Sequence, residues 1–183
     1  PFCCACHNFL PLDFTPGQAH RLAGHNPRED AMSQSSDIQF NDGAAYERLM
    51  GRWSRKVGAD FLDWLEAPPG LAWVDVGCGN GAFTEEIVAR ASPSAVTGID
   101  PSPAQIAYAR TRAGAALARF ETGDAQALPF KDAAFDVGVM ALVIAFVASP
   151  LKAVQELRRV VGRGGLVATY MWDLPAGGVP TSP

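Results

Sequence analysis

The sequence predicts an α/β fold in which a mostly parallel sheet carries helices on both faces. Short, β-branched apolar runs that are typical of buried parallel strands alternate with segments of helical periodicity. The first of these runs breaks into three glycines at alternate positions within 77–81, and a helix-like segment follows at once. A second run ends at Asp100. Strand, glycine turn and helix in this order favour a doubly wound, Rossmann-like sheet.

Composition and charge argue against several classes of protein. With 183 residues, 48% of them hydrophobic and 19% charged, the chain is predicted to form one domain with an ordinary core. The net charge of −4 and the lack of a basic block argue against a nucleic-acid partner. No apolar run reaches about 18 residues, so we expect no membrane span. We expect reduced cysteines and a cytoplasmic location.

The two ends of the chain are predicted to lie outside the domain. Prolines and glycines interrupt any periodicity in residues 1–36, which lack a signal-peptide pattern, and Met32 resembles a natural start. We hypothesise that residues 1–31 are upstream sequence and that the whole segment 1–36 is disordered or non-native. The domain then occupies residues 37–173, and residues 174–183 form a disordered tail.

Four residues of the first segment have a spacing close to that of a zinc finger: Cys3, Cys6, His20 and His25. A proline and a glycine interrupt the helix that would carry the histidines, and the apolar core positions of a finger are not matched. We therefore favour a coincidence of spacing and predict no metal site.

Periodicity and turn residues predict the remaining elements. The predicted helices cover 43–66, the segment from the glycine turn to about Ala91, 103–117, and a segment that opens at Ser149 and Pro150. The predicted strands cover 71–76, 95–99, 119–122, 135–144 and 166–170. The predicted N-caps are Asp42 and Ser102. The predicted buried face of the last helix consists of Leu151, Val154, Leu157 and Val161.

The spacing of the glycines in the turn distinguishes between two kinds of nucleotide-binding fold. Glycine lacks a Cβ, so the main chain can turn with positive φ and approach a ligand, and the next helix offers free N–H groups. Dinucleotide-binding turns read G-x-G-x-x-G, whereas this turn reads G-x-G-x-G with Asp75 two residues before it. The run 75–81 (D-V-G-C-G-N-G) closely resembles the first motif of class I S-adenosylmethionine-dependent methyltransferases.

This resemblance implies roles for each part of the turn. It implies that Gly77, Cys78, Gly79 and Gly81 contact S-adenosylmethionine, and that Asp75 orders the turn and reaches the amino group of the cofactor. For the Cys78 thiol, we favour a role as a small apolar filler over a catalytic role.

Asp100 and the adjacent Pro101 are predicted to contact the ribose of the cofactor. A carboxylate at the end of the second strand of a Rossmann-like sheet can accept hydrogen bonds from two vicinal hydroxyls. Asp100 lies nineteen residues after Gly81, close to the usual spacing of about twenty. The alternative is that Asp100 caps the next helix, but Ser102, followed by Pro103, is the better cap candidate.

The tripeptide Gly-Asp-Ala at 123–125, followed by Leu-Pro-Phe at 128–130, resembles a second methyltransferase signature. The resemblance implies that Asp124 binds the adenine amino group and that the N–H of Ala125 meets a ring nitrogen. The alternative is an Asx turn at the end of a strand.

Three other predictions complete the site. Met140 and Ala141 lie near the end of the predicted fourth strand and are predicted to line the site, since ligands bind at the carboxyl edge of such sheets. Asp136, near the start of that strand, is predicted to be structural. Tyr46 and Arg52 lie in a segment that resembles the N-terminal lid of small-molecule methyltransferases. The resemblance implies that Tyr46 borders the site and that Arg52 pairs with the cofactor carboxylate; packing of this helix on the sheet is the alternative.

The resemblance covers residues 42–173 and points to the broad, type 11-like group of small-molecule methyltransferases, which includes quinone-biosynthesis and sterol-type enzymes. In that family the domain continues through a further helix and two strands, one of them antiparallel to the fifth strand. We therefore expect a C-terminally truncated domain that lacks its last two strands, leaves the fifth strand as an open edge and has weak activity.

The predicted function is methyl transfer from S-adenosylmethionine to a small-molecule acceptor by in-line displacement. The sulfonium methyl is already electrophilic, so the protein's task is orientation and exclusion of water. The sequence identifies no catalytic residue or general base, and it leaves the oligomeric state open. Two alternatives stay open: a nicotinamide-dependent oxidoreductase and a cofactor-binding module without catalysis.

Overall fold

A computed structural model of the chain describes residues 52–172. Of Arg52, it describes the backbone but not the side chain. Several predictions lie outside these residues: the terminal segments 1–36 and 174–183, the zinc-finger-like spacing, the Asp42 cap, and the placement of Tyr46 and of the Arg52 side chain.

The described chain alternates strands and helices in the predicted order. The helices are α1 (Arg52–Leu65), α2 (Ala82–Arg90), α3 (Pro103–Ala109) and α4 (Pro150–Val160), with short 3₁₀ turns at Ala113–Ala115 and Ile144–Phe146. The strands are β1 (Ala72–Val76), β2 (Ala95–Asp100), β3 (Ala118–Thr122), β4 (Phe135–Ala141) and β5 (Val161–Tyr170).

The five strands form one parallel sheet in the order β3-β2-β1-β4-β5, which confirms the predicted Rossmann-like fold class. The strand order reverses between β1 and β4, and ligands bind such sheets at the carboxyl ends of the strands next to this reversal. The register pairs Val76 with Ile99, so the ends of β1 and β2 lie side by side. The glycine turn therefore leaves β1 at the position where a ligand is expected.

Alternate residues of β1 build the two halves of the core. Trp73 faces α1 and α2, where it packs with Phe61 and Ile87, and it has no exposed surface. Val74 and Val76 face the opposite side, under α4. Such burial on both faces explains why β1 reads as a nearly continuous apolar run.

Helix α3 ends earlier than the sequence predicts, at Ala109 instead of residue 117. The Thr111 hydroxyl donates to the Tyr108 carbonyl (2.7 Å) and so offers the backbone a local alternative to the helix. Arg112 is extended, with φ −73° and ψ 116°, and Gly114 disfavours a helix further on. The alanine-rich composition therefore overstated the length of this helix.

The predicted buried face of α4 was wrong in two positions. Leu151 and Val154 are 70% and 38% exposed, whereas Ala153, Leu157 and Val160 pack against the sheet. Both sets have helical spacing, and the larger side chains of the first set made it look like the core face. The strand predictions also differ at their ends, because β4 stops at Ala141 and β5 begins at Val161 with a register shift against β4.

Asp136 has the structural role that the sequence suggested. Its Oδ2 accepts a hydrogen bond from the N–H of Ala72 (2.8 Å), which ties the start of β4 to the start of β1. This contact lies at the amino ends of the strands, on the edge of the sheet opposite the glycine turn.

Replacing Asp136 by alanine is expected to lower the free energy of unfolding by about 1 kcal/mol, because the N–H of Ala72 loses a charged acceptor. Urea denaturation of the variant measures this change. Asp60→Ala, which removes an exposed carboxylate from α1, is the control and should stay within about 0.5 kcal/mol of the wild type. An Asp136 variant as stable as this control would contradict the structural role.

Candidate cofactor site

The glycine turn adopts a conformation that only glycine takes readily. Gly77, Gly79 and Gly81 have φ angles of 76°, 52° and 79°. A Cβ added to Gly77 would lie 2.5 Å from Val143, and one added to Gly81 would lie 3.0 Å from Ala109. A Cβ on Gly79 would meet nothing within 4 Å. The turn is therefore packed at its two ends and open at Gly79, where a ligand can lie against the main chain.

Asp100 fixes this open turn to the end of β2. Its Oδ2 accepts a hydrogen bond from the N–H of Gly79 (2.9 Å), and its Oδ1 accepts one from the N–H of Ser102 (2.9 Å). The N–H groups of Gly77 and Cys78 donate to the Ile99 carbonyl, at 2.7 and 3.1 Å. Burial raises the pKa of Asp100 above its ordinary value, and the two backbone donors oppose that rise.

Ser102, not Asp100, caps helix α3. The Ser102 side chain accepts a hydrogen bond from the N–H of Gln105 (3.4 Å), and Pro103 takes the first helical position. This confirms the predicted cap and leaves the Asp100 carboxylate at the glycine turn.

Asp75 is a buried carboxylate with one oxygen unused. It has no exposed surface, and its Oδ2 accepts a hydrogen bond from the Thr84 hydroxyl (2.6 Å). Its Oδ1 has no hydrogen-bond partner within residues 52–172. Burial raises the pKa of Asp75 to about 7; the Thr84 bond opposes this rise, and the charge of Asp100 adds to it. A buried acceptor without a partner is costly unless a cationic or donor group of a ligand completes it.

Asp124 lies beyond the next strand along the sheet. The N–H of Gly123 donates to the Asp100 carbonyl (3.0 Å), which brings the end of β3 next to the end of β2. The Asp124 carboxylate is exposed, and its Oδ1 accepts a hydrogen bond from the N–H of Gln126 (2.8 Å), so the Asx turn that was the alternative for this residue is present. Ala125 is half-buried. Asp75 thus lies near the end of β1, Asp100 ends β2 and Asp124 lies two residues after β3, so the three acids belong to three adjacent strands.

The side chains of two predicted site residues, Cys78 and Met140, lie in the apolar core. The Cys78 thiol is buried against Ile106 and Phe120, and burial raises its pKa well above the ordinary value. Met140 has no exposed surface and packs on the α4 side of the sheet. The burial of the Cys78 thiol agrees with the predicted role as an apolar filler, and the lining of the site by the Cys78 backbone and by Met140 stays a prediction. Ala141 is half-buried, and Pro101 is exposed.

Arg112 contacts the glycine turn, a role that the sequence analysis did not predict. Its Nε donates to the Asn80 carbonyl (2.6 Å), and its Nη1 pairs with Glu85 in the first turn of α2 (2.9 Å). The Asn80 side chain in turn accepts from the N–H of Ala82 (3.2 Å). Arg112 and Asn80 are 32 residues apart, and no local pattern connects them.

Residues 52–172 contain no candidate for a metal site or a membrane-spanning helix. Nowhere in this part of the chain do three or more His, Cys, Asp or Glu side chains gather in a way that could hold a metal ion. No helix within the same residues combines the length and the apolar character that crossing a membrane requires.

An open glycine turn at the reversal point of a parallel sheet, with acidic residues at or next to the carboxyl ends of three adjacent strands, is typical of a nucleoside-binding α/β domain. Comparison with family models narrows this class: residues 74–169 match the model described as "Methyltransferase domain". The chain belongs to this family, whose cofactor is S-adenosylmethionine. The nicotinamide oxidoreductase alternative is not favoured.

Individual relatives agree with this family. The chain is 35% identical to the demethylmenaquinone methyltransferase of Deinococcus radiodurans, over 89% of this chain and 64% of that protein. It is 36% identical to an uncharacterised 37.1 kDa protein of transposon TN4556 from Streptomyces fradiae, over 85% of this chain and 45% of that protein. The chain thus spans about half to two thirds of the length of these relatives.

The fold comparison gives the same architecture. A SAM-dependent methyltransferase from Aquifex aeolicus superposes with a TM-score of 0.62 over 72% of this chain and 73% of that one. At 22% identity, this likeness concerns the fold alone.

The titration of Asp75 should make the free energy of unfolding depend on pH. The folded chain holds a proton on Asp75 up to a pKa of about 7, whereas the unfolded chain releases it near 3.8. The contribution of Asp75 to the free energy of unfolding is therefore fully present below about pH 4 and is lost as the pH rises through 7. From pH 6 to 8, we expect the wild type to lose about 1.4 kcal/mol of unfolding free energy relative to Asp75→Asn.

Urea denaturation of both proteins at several pH values measures this difference. Comparing the two slopes removes the contributions of all other titrating groups. Parallel stability profiles between pH 6 and 8 would show that Asp75 is not a buried, titrating acid in the folded protein.

Proposed function

We propose that this protein transfers a methyl group from S-adenosylmethionine to a small-molecule acceptor. The observation that supports this best is the buried Oδ1 of Asp75, which lacks a partner beside a turn that is open at Gly79. The amino acid part of the cofactor carries an ammonium group, which is the kind of donor that such a carboxylate oxygen requires. Family membership supports the same cofactor.

In this proposal Asp75, Asp100 and Asp124 each bind a different part of the cofactor. Asp75 binds the ammonium group, directly or through a water molecule. Asp100 accepts from the ribose hydroxyls with the lone pairs left over from Gly79 and Ser102. Asp124 accepts from the adenine amino group, and the N–H of Ala125 donates to a ring nitrogen.

The negative charge of the site suits the cofactor. S-adenosylmethionine carries positive charge on its ammonium and sulfonium groups, and its sulfonium supplies an electrophilic methyl group when bound. The protein's residues orient and enclose this group: Asp100 holds the turn in place, and the backbone at Gly79 leaves room for the ligand. We assign closure over the site to the segment with Tyr46 and Arg52, and part of its wall to Pro101 and Ala141.

We propose a small organic molecule as the acceptor, with nucleic acid excluded and a cytoplasmic location. The net charge of −4 supports the exclusion of nucleic acid, since a polyanionic acceptor would be repelled. The relative from Deinococcus radiodurans is named for methylation of demethylmenaquinone, which is a small organic acceptor.

Removing the Asp100 carboxylate should weaken binding of S-adenosylhomocysteine by about 1.5–3 kcal/mol, or roughly 10- to 150-fold, because a charge-assisted contact is lost and the turn is released. Titration calorimetry on Asp100→Ala measures the change. Asp136→Ala is the matched control, because it also removes a carboxylate that accepts a backbone N–H, but at the opposite edge of the sheet. Equal weakening in both variants would contradict the proposed role.

The cofactor class is tested by thermal unfolding with candidate ligands. S-adenosylmethionine at about 100 times its dissociation constant should stabilise the fold by about 2.7 kcal/mol, whereas NADH should leave the melting temperature unchanged. Stabilisation by NADH alone would support the oxidoreductase alternative. Stabilisation by S-adenosylmethionine without turnover on any of a panel of small acceptors would support a cofactor-binding module.

A further inference from the structure

We infer that Arg112 is a positioning residue for the cofactor turn, which it clamps through the Asn80 carbonyl while Asp100 holds the N–H of Gly79. This inference rests on the proposed function, because it assigns Arg112 to the turn that binds S-adenosylmethionine. Arg112 itself is not placed in contact with the cofactor; it acts through the backbone of Asn80.

The clamp joins two elements that are separate in the sequence. Arg112 follows α3 in an extended conformation, and its guanidinium reaches the Asn80 carbonyl (2.6 Å) in the middle of the glycine turn. Its second contact, with Glu85 (2.9 Å), lies in the first turn of α2. The Arg112 side chain is only 10% exposed, so water competes little for either contact.

The geometry of the guanidinium explains why arginine stands at this position. Its planar fork presents several N–H donors at fixed angles, so one side chain can hold a carbonyl and a carboxylate together. The guanidinium also lies 5.6 Å from the centre of the Tyr108 ring, within range of a cation–π contact. Glu85 offsets the unfavourable position of a cation at a helix N-terminus.

The contacts of Arg112 and Asp100 affect ligand affinity because the backbone of the glycine turn is intrinsically flexible. Three glycines without side chains lose more backbone entropy on ordering than other residues do. Asp100 holds the N–H of Gly79, and Arg112 holds the carbonyl of the next residue, Asn80. Together they fix the Cys78–Gly79 and Asn80–Gly81 peptide groups, on either side of the Gly79–Asn80 peptide, before a ligand arrives. A turn that is ordered in advance binds its ligand more tightly, because little further backbone entropy is lost when the ligand binds.

Arg110 provides a matched control within the same segment. Its Nη2 donates to the Phe120 carbonyl (2.7 Å), so Arg110→Met and Arg112→Met each remove one guanidinium–carbonyl contact. The Arg110 contact is made to β3, whereas the Arg112 contacts are made to the glycine turn and α2. Arg112→Lys serves as the conservative variant, because an ammonium can reach one of the two acceptors but lacks the fork.

The experiment measures S-adenosylhomocysteine affinity by calorimetry and amide hydrogen exchange of residues 77–82 in the ligand-free protein. In Arg112→Met we expect a roughly tenfold weaker affinity and faster exchange in the turn, with Arg112→Lys intermediate. Arg110→Met should stay within about twofold of the wild type in affinity, with unchanged exchange in the turn.

Each outcome decides a separate question. Equal effects of Arg110→Met and Arg112→Met, or unchanged exchange in both, would overturn the positioning role. Should Arg112→Met fail to fold, the comparison of Arg112→Lys with Arg110→Lys decides the same point. Wild-type protein that does not bind S-adenosylhomocysteine would contradict the proposed function, and the exchange measurement would still test whether Arg112 orders the turn.

Discussion

The hydrogen bond from the N–H of Gly79 to the Asp100 carboxylate is the contact on which the site depends. A turn with three glycines in the left-handed region has little intrinsic preference for one conformation, so its shape must be imposed by neighbouring elements. The end of β2 does this through Asp100 and the Ile99 carbonyl, which accepts from Gly77. Because β2 is held in register with β1 from Ala95 to Ile99, the fold of the sheet determines the shape of the turn.

The buried Asp75 links the stability of the domain to its proposed function. A carboxylate without exposed surface and with one unused oxygen destabilises the ligand-free protein at neutral pH. Thr84 compensates for part of this cost by donating to the other oxygen. The remaining deficit is what an ammonium group of a bound cofactor would remove, so the same feature that weakens the fold favours occupancy of the site.

The sequence predicted those parts of the structure that local patterns determine. The parallel strands, the glycine turn, the Ser102 cap and the position of Asp100 at a strand end all follow from short runs of residues. The Arg112 clamp and the Thr84 partner of Asp75 were missed, since they depend on contacts that only the folded sheet creates. The buried face of α4 was misjudged for a related reason: which of two helical stripes faces the sheet is decided by packing, not by periodicity.

The most direct test of the central claim is the pKa of the Asp75 carboxyl, measured by carbon-13 NMR with and without S-adenosylhomocysteine. In the free protein the pKa is expected near 7. Binding of an ammonium group next to the unused oxygen should lower it by at least about one unit, because an opposite charge favours the ionised carboxylate. An Asp75 pKa that does not change when the ligand binds would contradict the assignment of this residue, and with it the proposed orientation of the cofactor.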